Sequence, residues 1–211
     1  MNQGALPASA SATRSAPAGV RLQGADEPDA ERWRSIVERA NRLYGTVPDT
    51  LRVMAIGTNA AEIYLTLSEA NGASTLSTLE REYVAVQTAR SNGCRYCFTA
   101  HLAQALVLGA DPRTLNELGT RSFDSRTDAV LAFAASVLER RGVVTEDHIA
   151  AARAADLDDR TLVDIVAVVI ENLLGNTINN LAGTPPQPGV EHFLARRGIT
   201  TTLVDRRDGS V

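Results

Sequence analysis

The chain has 211 residues and an apolar fraction of 44%, enough for one domain with a proper hydrophobic core. Its formal charge of −4 gives no electrostatic basis for binding nucleic acid or an anionic membrane surface, and its 21 basic residues are all arginines scattered among acidic ones. No apolar run approaches the roughly 20 residues that span a bilayer, so we predict no membrane segment.

The first 27 residues predict a disordered leader. They are rich in Ala, Ser, Gly and Pro, and they lack the continuous hydrophobic stretch of a secretory signal. The chain has only two cysteines, three residues apart. A close pair without an export signal indicates a cytoplasmic protein that keeps its cysteines for their chemistry, rather than a structural disulfide framework.

Helical patterns follow one another from residue 28 to residue 185, because apolar residues recur there at three- and four-residue spacing. Ser77 and Glu80 have the spacing of a capping box, which predicts where the third helix begins. Glycine, proline and other capping residues set the remaining limits. The predicted helices cover residues 29–44, 48–70, 77–92, 94–109, a short segment from 112, 124–141, a segment from 145, and 158–180.

The longest predicted helix contains the segment VDIVAVVI at residues 163–170, whose β-branched residues would also suit a strand. The apolar pattern continues through Leu173 and Leu174, and no partner strand is predicted elsewhere, so we predict a helix. Its apolar residues cover most of its circumference, which indicates a central helix or one buried at a subunit contact. The predicted architecture is an all-α single domain over residues 28–185, followed by a C-terminal tail over residues 186–211.

The stretch NGCRYCFTAH holds both cysteines and one of only three histidines. Gly93 ends one predicted helix, and Cys94 begins the next. At about 100° per residue, Cys94 and His101 differ by only about 20° around the helix axis, and Cys97 lies one turn before His101. All three side chains can therefore converge on one side of one helix. Cys97 is also in the first turn, where the helix dipole favours an anion, so we expect its pKa to be lowered.

Three other interpretations of the cysteine pair are open. Two neighbouring cysteines can be small core residues without chemistry. Cys94, Cys97 and His101 can supply three zinc ligands, but a structural zinc site takes four, and the chain contains no second CxxC and no HxxxH. A thioredoxin-like redox motif requires a βαβ context, which the predicted helices do not provide.

A carboxylate on the preceding helix favours the interpretation that the two cysteines and His101 take part in catalysis. Glu82 lies on an apolar stripe with Leu79 and Val86, where a carboxylate has to be paired or protonated. Glu80, in contrast, is explained by the capping box. Beside two cysteines and a histidine, Glu82 is a candidate for proton transfer rather than a boundary residue.

The segment from Glu82 to His101 resembles the E-x11-C-x-x-C-x-x-x-H motif of the alkylhydroperoxidase D-like proteins in the carboxymuconolactone decarboxylase superfamily. In this chain Glu82 is followed by eleven residues, Cys94-Arg-Tyr-Cys97, three residues and His101. The resemblance extends more weakly over residues 44–185. It implies an all-helical fold and an assembly of trimers, hexamers or related form. It also implies that Cys97 is oxidised to sulfenic acid and that Cys94 is its proton donor and disulfide partner. Glu82 and His101 would then relay protons.

One position departs from the best-known members of that family. They carry a histidine between the cysteines, where this chain has Tyr96. A phenol with an ordinary pKa of about 10 cannot replace imidazole as a base at neutral pH, although it can donate a hydrogen bond. We therefore expect a simpler relay or a different substrate. True decarboxylases of the superfamily do not need the cysteine pair, so that activity fits less well.

Asn172, Asn176, Asn179 and Asn180 recur along the longest predicted helix. One interpretation is a solvated polar face near the helix end. The other is a set of amide groups that border the cysteine site and orient a peroxide or a water molecule. The sequence alone leaves both open.

The residues and the resemblance together predict a cysteine-based peroxidase or dithiol–disulfide oxidoreductase. Its substrate is a hydroperoxide, and an external dithiol protein or small thiol restores its cysteines. We predict no cofactor and no metal, since no glycine-rich phosphate loop follows a strand. The apolar surface of residues 163–174 and the resemblance predict a homo-oligomer, trimeric or built from trimers. The alternative is a helical module that senses redox state or binds zinc and acts through a partner contact.

Overall fold

The computed structural model describes residues 19–22, 30–118 and 125–203. Those ranges contain ten α-helices and no β-strand, which confirms the prediction of an all-α fold. In chain order the helices are α1 Ala30–Tyr44, α2 Asp49–Met54, α3 Ala60–Asn71, α4 Thr78–Ser91, α5 Arg95–Val107, α6 Pro112–Glu117, α7 Ser125–Arg140, α8 Glu146–Ala154, α9 Asp159–Ala182 and α10 Pro188–Ala195.

Helix α9 is the centre of the domain. It packs against α2, α3, α4, α5 and α7, and its side chains Ile165, Val168 and Val169 are buried. The β-branched segment at residues 163–170 is helical, as predicted, because the burial of these three side chains among other helices outweighs the strand propensity of the segment. By length and composition α9 is also the one helix of the described ranges that is apolar enough to cross a membrane, a criterion that buried core helices also meet.

The predicted helix over residues 48–70 is wrong in its middle. The structure has two helices, α2 and α3, with a turn at residues 55–59 between them. Arg32 on α1 donates a hydrogen bond to the Gly57 carbonyl at 2.8 Å, which ties this turn to the first helix. The turn allows α2 to pack on α9 separately from α3, and it brings Thr50 into the interior.

The predicted C-terminal tail at residues 186–211 is wrong for residues 188–195, because they form α10. Val190, Phe193 and Leu194 are buried and belong to the same hydrophobic cluster as the core residues of α5. Their three- and four-residue spacing after a proline is a helix signal that the sequence analysis missed. The core therefore extends beyond the predicted domain limit, and α10 packs on the helix that carries the cysteines.

Part of the predicted leader contacts the domain. The Arg21 backbone N–H donates to the Ala182 carbonyl at 2.7 Å, and the Arg21 guanidinium donates to the Asn180 carbonyl at 3.3 Å. This short stretch therefore meets the end of α9. The rest of the leader predicted over residues 1–27 lies outside the described ranges, as do residues 204–211 of the predicted tail.

The start of α4 and the turn between α4 and α5 position the site. The predicted capping box is present, with Glu80 N–H 3.2 Å from Ser77 Oγ and Ser77 N–H 2.7 Å from a Glu80 carboxylate oxygen. Gly93 has a φ of 63°, a left-handed conformation that a side chain would strain. It ends α4 so that α5 packs back along it. The middle of α5 thereby faces the first half of α4.

Candidate active site

Both cysteines lie at the N-terminus of α5. Cys94 is the N-cap residue, and its sulfur accepts a hydrogen bond from the Cys97 backbone N–H at 3.4 Å. The two sulfur atoms are 2.7 Å apart and belong to free thiols. Cys94 is 1% exposed and Cys97 is 5% exposed. The CxxC spacing at a helix start thus brings the sulfurs close enough for a disulfide to form between them.

The two thiols differ in acidity. The hydrogen bond from the Cys97 thiol lowers the pKa of Cys94 more than burial raises it, and the Cys97 backbone N–H and the charge of His101 lower it further. Burial raises the pKa of Cys97 well above its ordinary value, and the hydrogen bond and charge of Cys94 raise it further. The expectation of a lowered pKa at Cys97 is therefore wrong. The N-cap position belongs to Cys94, so the free N–H groups of the helix end favour that sulfur as the thiolate.

His101 on α5 and Glu82 on α4 form a hydrogen-bonded pair. His101 Nδ1 lies 2.8 Å from Glu82 Oε2, and the two side chains are 23% and 18% exposed. Burial lowers the pKa of His101, but the charge and the hydrogen bond of Glu82 together outweigh it, so the pKa is raised above its ordinary value. The imidazole is thus biased towards its cationic form, and the carboxylate fixes the orientation of its ring.

A pocket opens beside these residues. Its volume is about 170 Å³. Cys97, Glu82 and His101 all line it, whereas Cys94 lies behind Cys97 and is not part of the wall. The accessible sulfur is therefore that of Cys97. Much of the remaining wall is aromatic or aliphatic and comes from Tyr44, Val47, Pro48, Tyr64, Tyr96 and Val190.

Three asparagines of α9 form the polar part of the wall. Asn172, Asn176 and Asn179 are buried and line the pocket, whereas Asn180 is exposed. The interpretation of a solvated polar face is therefore wrong for three of the four. The side-chain N–H of Asn179 lies 3.4 Å from the Cys97 sulfur. This contact lowers the pKa of Cys97, although burial has the larger and opposite effect.

Tyr96, the residue between the cysteines, is part of the pocket wall. It is buried, and its hydroxyl oxygen accepts a hydrogen bond from the Thr50 backbone N–H at 3.3 Å. Burial raises its pKa above the ordinary value, so it is a neutral phenol across the physiological range. Its place in the structure therefore agrees with the argument that it does not act as a base.

Sequence analysis missed several residues of the pocket and its surroundings. Gln187 and Val190 line the pocket, although they lie in the predicted tail. Tyr44 donates a hydrogen bond to Ser68 at 2.6 Å, and Ser68 donates in turn to the carboxylate of Glu171 on α9. Ser68 and Glu171 are 103 positions apart, so no local pattern predicts that they meet. The helical spacing in α10, in contrast, was a signal available in the sequence.

The arrangement can support dithiol chemistry. Two adjacent thiols can give up two electrons together as they form a disulfide. The Glu82–His101 pair can hold and release a proton beside them. Within the ranges that the structure describes, no group of three or more His, Cys, Asp or Glu side chains is placed to hold a metal ion.

A family model matches the part of the chain that carries this site. The model of the carboxymuconolactone decarboxylase family matches residues 59–123, a segment that includes Glu82, both cysteines and His101. A search of curated proteins found no match.

Solved structures share the fold over most of the chain. An uncharacterized peroxidase-related protein from Silicibacter sp. TM1040 is 27% identical, with a TM-score of 0.68 over 80% of this chain and 91% of that one. The alkylhydroperoxidase AhpD core of an uncharacterized peroxidase-related protein from Ralstonia eutropha JMP134 is 23% identical, with a TM-score of 0.71 over 81% and 94% of the two chains. The debrominase Bmp8 in complex with 2,3,4-tribromopyrrole is 14% identical, with a TM-score of 0.69 over 85% and 98%. The family match over residues 59–123 and the fold shared with the alkylhydroperoxidase AhpD core together support the resemblance of this chain to the alkylhydroperoxidase D-like proteins of the carboxymuconolactone decarboxylase superfamily.

Proposed function

We propose that the protein is a cysteine-based peroxidase, a dithiol–disulfide oxidoreductase that reduces hydroperoxides. The observation that carries the proposal is the position of the two sulfurs. Cys97 lies on the wall of a mostly apolar pocket, and Cys94 lies 2.7 Å from it on the buried side. A substrate in the pocket therefore meets one thiol, and the second thiol is held where it can close a disulfide.

In the first step the Cys97 thiolate attacks the distal oxygen of the hydroperoxide. A sulfur–oxygen bond forms, the oxygen–oxygen bond breaks, and Cys97 becomes a sulfenic acid. The alkoxide that leaves takes a proton and departs as an alcohol. Cys94, whose pKa is lowered, is the local acceptor for the Cys97 proton, since the proton has to move only between sulfurs 2.7 Å apart.

The raised pKa of His101 supports a role as the acid that protonates the leaving alkoxide. His101 lines the pocket, and Glu82 keeps its ring in one orientation. In this role Glu82 is a positioning residue that acts through the imidazole. After turnover, His101 regains its proton from solvent or from the Cys94 thiol.

In the second step the Cys94 thiolate attacks the Cys97 sulfur. The sulfur–oxygen bond breaks, hydroxide leaves and is protonated to water, and the intramolecular disulfide forms. An external dithiol then reduces this disulfide by exchange and is itself oxidised. The net reaction converts one hydroperoxide and one dithiol into an alcohol, a water molecule and an oxidised dithiol.

The proposal is tested by peroxide consumption with the purified, reduced protein. We expect turnover of organic hydroperoxides with a dithiol donor such as dithiothreitol or a thioredoxin-type protein, and a disulfide between Cys94 and Cys97 in the absence of donor. Zinc analysis of the same reduced protein addresses the redox-sensing or zinc-binding alternative. Stoichiometric zinc that is lost when either cysteine is replaced, without peroxide turnover, would overturn the proposal.

Reductive dehalogenation is a second candidate for the same cysteines. The fold is shared with a debrominase in complex with a brominated pyrrole, and the pocket of this chain is walled by aromatic and aliphatic side chains. Two thiols can convert an aryl bromide into the arene and bromide as they form a disulfide, with one proton going to carbon and one released. Bromide release from brominated pyrroles or phenols under reducing conditions would favour this candidate over the peroxidase.

The proposal includes a homo-oligomer, trimeric or built from trimers. On the outer face of α9, Val163, Val166 and Ile170 follow one another at one-turn spacing, and all three are exposed. Exposed apolar stripes of this kind are typical of subunit contacts. We further propose a cytoplasmic location, where thiol-based reductants keep such cysteines reduced.

Replacing Ile170 by Asp should convert the assembly into monomers, because a carboxylate would be buried at the proposed contact. Light scattering should give about three times the 22.5 kDa chain mass, or a multiple of that, for the wild type and a single chain mass for the variant. Val143→Asp, at an exposed position outside α9, serves as the control and should keep the wild-type mass. A wild-type protein that is monomeric at micromolar concentration would contradict the prediction.

A further inference from the structure

The side chain of Asn176 is buried without hydrogen-bond partners. It is 1% exposed, and neither its amide nitrogen nor its amide oxygen has a partner among the residues that the structure describes. It lies on the wall of the pocket that holds Cys97. Buried amide groups are nearly always hydrogen-bonded, because an unpaired one costs free energy of folding. A buried donor and acceptor that face a pocket therefore point to a ligand that pairs with them.

The neighbouring asparagines on α9 behave differently. Asn172 donates to the Val168 carbonyl at 2.9 Å, one turn earlier in its own helix. The Asn179 nitrogen has three acceptors within reach, including the Gly175 carbonyl at 2.9 Å, and only its oxygen lacks a partner. Among these three asparagines the unpaired atoms are thus the amide nitrogen of Asn176 and the amide oxygens of Asn176 and Asn179.

The charged groups of the pocket wall are already paired. Glu82 is bound to His101, and the nearby Glu171 accepts hydrogen bonds from Ser68 and Asn71. A ligand with a negative charge would meet these carboxylates, and a cationic His101 is already paired with Glu82, so the pocket disfavours an anion. The carboxylates already have partners, so they offer little to a cation.

We infer that Asn176 is the specificity-determining residue of the pocket and that it recognises an uncharged organic substrate with a hydroxyl or amide group. Residues three apart on a helix have Cβ atoms about 5–6 Å apart, and Asn179 contacts the Cys97 sulfur. The unpaired Asn179 oxygen is therefore placed to accept the O–H of the hydroperoxide. Asn176 then pairs with a second polar group of the same substrate.

This inference rests on the proposed function for the reaction, but it concerns the shape and polarity of the substrate. The aromatic wall of Tyr44, Tyr64 and Tyr96 favours a carbon ring or chain between the two polar ends. Hydrogen peroxide has no such spacer and can satisfy only the end near the sulfur. The preferred substrate class is a small, hydroxylated or amide-bearing organic hydroperoxide.

Binding of two unreactive probes tests the inference without turnover. Acetophenone and ethylbenzene share a ring and a similar size, but only acetophenone has an oxygen, and that oxygen can accept from the Asn176 amide and cannot donate to the Asn179 oxygen. Calorimetry with the reduced protein should show that the wild type prefers acetophenone about tenfold, because ethylbenzene would leave the Asn176 amide unpaired. Asn176→Leu, which removes both polar atoms at similar volume, should abolish or reverse that preference.

Stability separates recognition from a structural role. Asn176→Leu should unfold at the same temperature as the wild type or at a higher one, since it removes an unpaired amide from the interior. Asn180→Ala is the matched control outside the pocket, and it loses a bond to the Asn92 carbonyl. It should lower the unfolding temperature and keep the wild-type preference for acetophenone. If Asn176→Leu keeps the preference, the inference is wrong. If Asn176→Leu fails to fold, the smaller Asn176→Ala takes its place in both measurements, and an Asn176→Ala that also fails to fold or keeps the preference overturns the inference.

Steady-state kinetics provide an independent test of recognition by Asn176. With a hydroxylated organic hydroperoxide, Asn176→Leu should raise KM about tenfold at little change in kcat, whereas with cumene hydroperoxide KM should stay the same or fall. If neither protein consumes peroxide, the proposed function fails, and the binding preference still decides the inference. If peroxide is consumed but neither probe nor KM responds to the variant, the pocket amide binds only water and the inference fails alone.

Discussion

Replacing Cys97 with serine should abolish peroxide turnover and leave Cys94 nearly unreactive towards peroxide. Cys97 is the sulfur on the pocket wall, whereas Cys94 is only 1% exposed and lies behind it. Reactivity of a thiol depends on access as well as on the fraction of thiolate, so the lowered pKa of Cys94 does not make it the first sulfur to react. We expect the rate to fall by about three orders of magnitude, measured as hydroperoxide consumed with a dithiol donor.

Cys94→Ser should instead retain the first step and stop after it. Without its disulfide partner, Cys97 should accumulate as a sulfenic acid that a dimedone-type probe captures. The hydrogen bond and the charge of Cys94 both raise the pKa of Cys97 in the wild type, so their removal should lower that pKa. Alkylation of Cys97 should therefore begin at a lower pH in Cys94→Ser than in the wild type.

Intact mass after one equivalent of peroxide provides the check on both variants. The wild type should lose about two mass units, because a disulfide forms with loss of two hydrogens. Cys94→Ser should gain the mass of the trapped probe, and Cys97→Ser should stay unchanged. If the probe labels Cys94 in the Cys97→Ser variant, or if the wild type keeps both thiols, the assignment of the two sulfurs is reversed or wrong.

Glu82→Gln should slow the reaction with hydroperoxide by about ten- to a hundredfold at pH 7. The carboxylate raises the pKa of His101, so its loss should lower that pKa and reduce the cationic fraction of the imidazole. The cation also lowers the pKa of Cys94, so thiolate formation should shift to higher pH in the variant. Alkylation rates across pH 5 to 9, together with peroxide consumption, measure both effects.

A matched control distinguishes this role from a general effect of losing a carboxylate. Glu62 on α3 is paired with Arg32 on α1, away from the pocket wall, and Glu62→Gln makes the same chemical change there. That variant should keep the wild-type rate and pH profile, whatever stability it loses. Equal alkylation profiles for Glu82→Gln and the wild type would show that Glu82 does not act through His101.

Much of the candidate catalytic cluster could be predicted from local sequence because its residues lie mostly on one helix. Cys94, Cys97 and His101 lie within two turns of one helix, so the helical period alone brings them to one side. Glu82 on a neighbouring helix could be predicted because a carboxylate on an apolar stripe needs a partner. The structure supplies that partner, the imidazole of His101 at 2.8 Å.

The difference in pKa between the two thiols could not be predicted in this way. The sequence places Cys97 within the first turn of α5, and the dipole argument applies to the whole turn. The pKa of each thiol depends on which sulfur accepts the N-cap hydrogen bond and on how strongly burial and the neighbouring sulfur disfavour its thiolate form. Both depend on atomic positions, which the spacing of residues in the sequence does not determine.

By itself the sequence determined the all-α class, the capping box of α4 and the grouping of two cysteines, a histidine and a carboxylate. Each of these depends on contacts within one helix or between adjacent helices. Only the tertiary structure decided that α10 contributes to the pocket wall, that Cys97 rather than Cys94 lines it, and that Asn176 is left unpaired within it. The physical reason is that burial and the pairing of polar groups depend on all the elements packed around a residue. Those elements come from distant parts of the chain, and the local periodicity of the sequence does not predict where they meet.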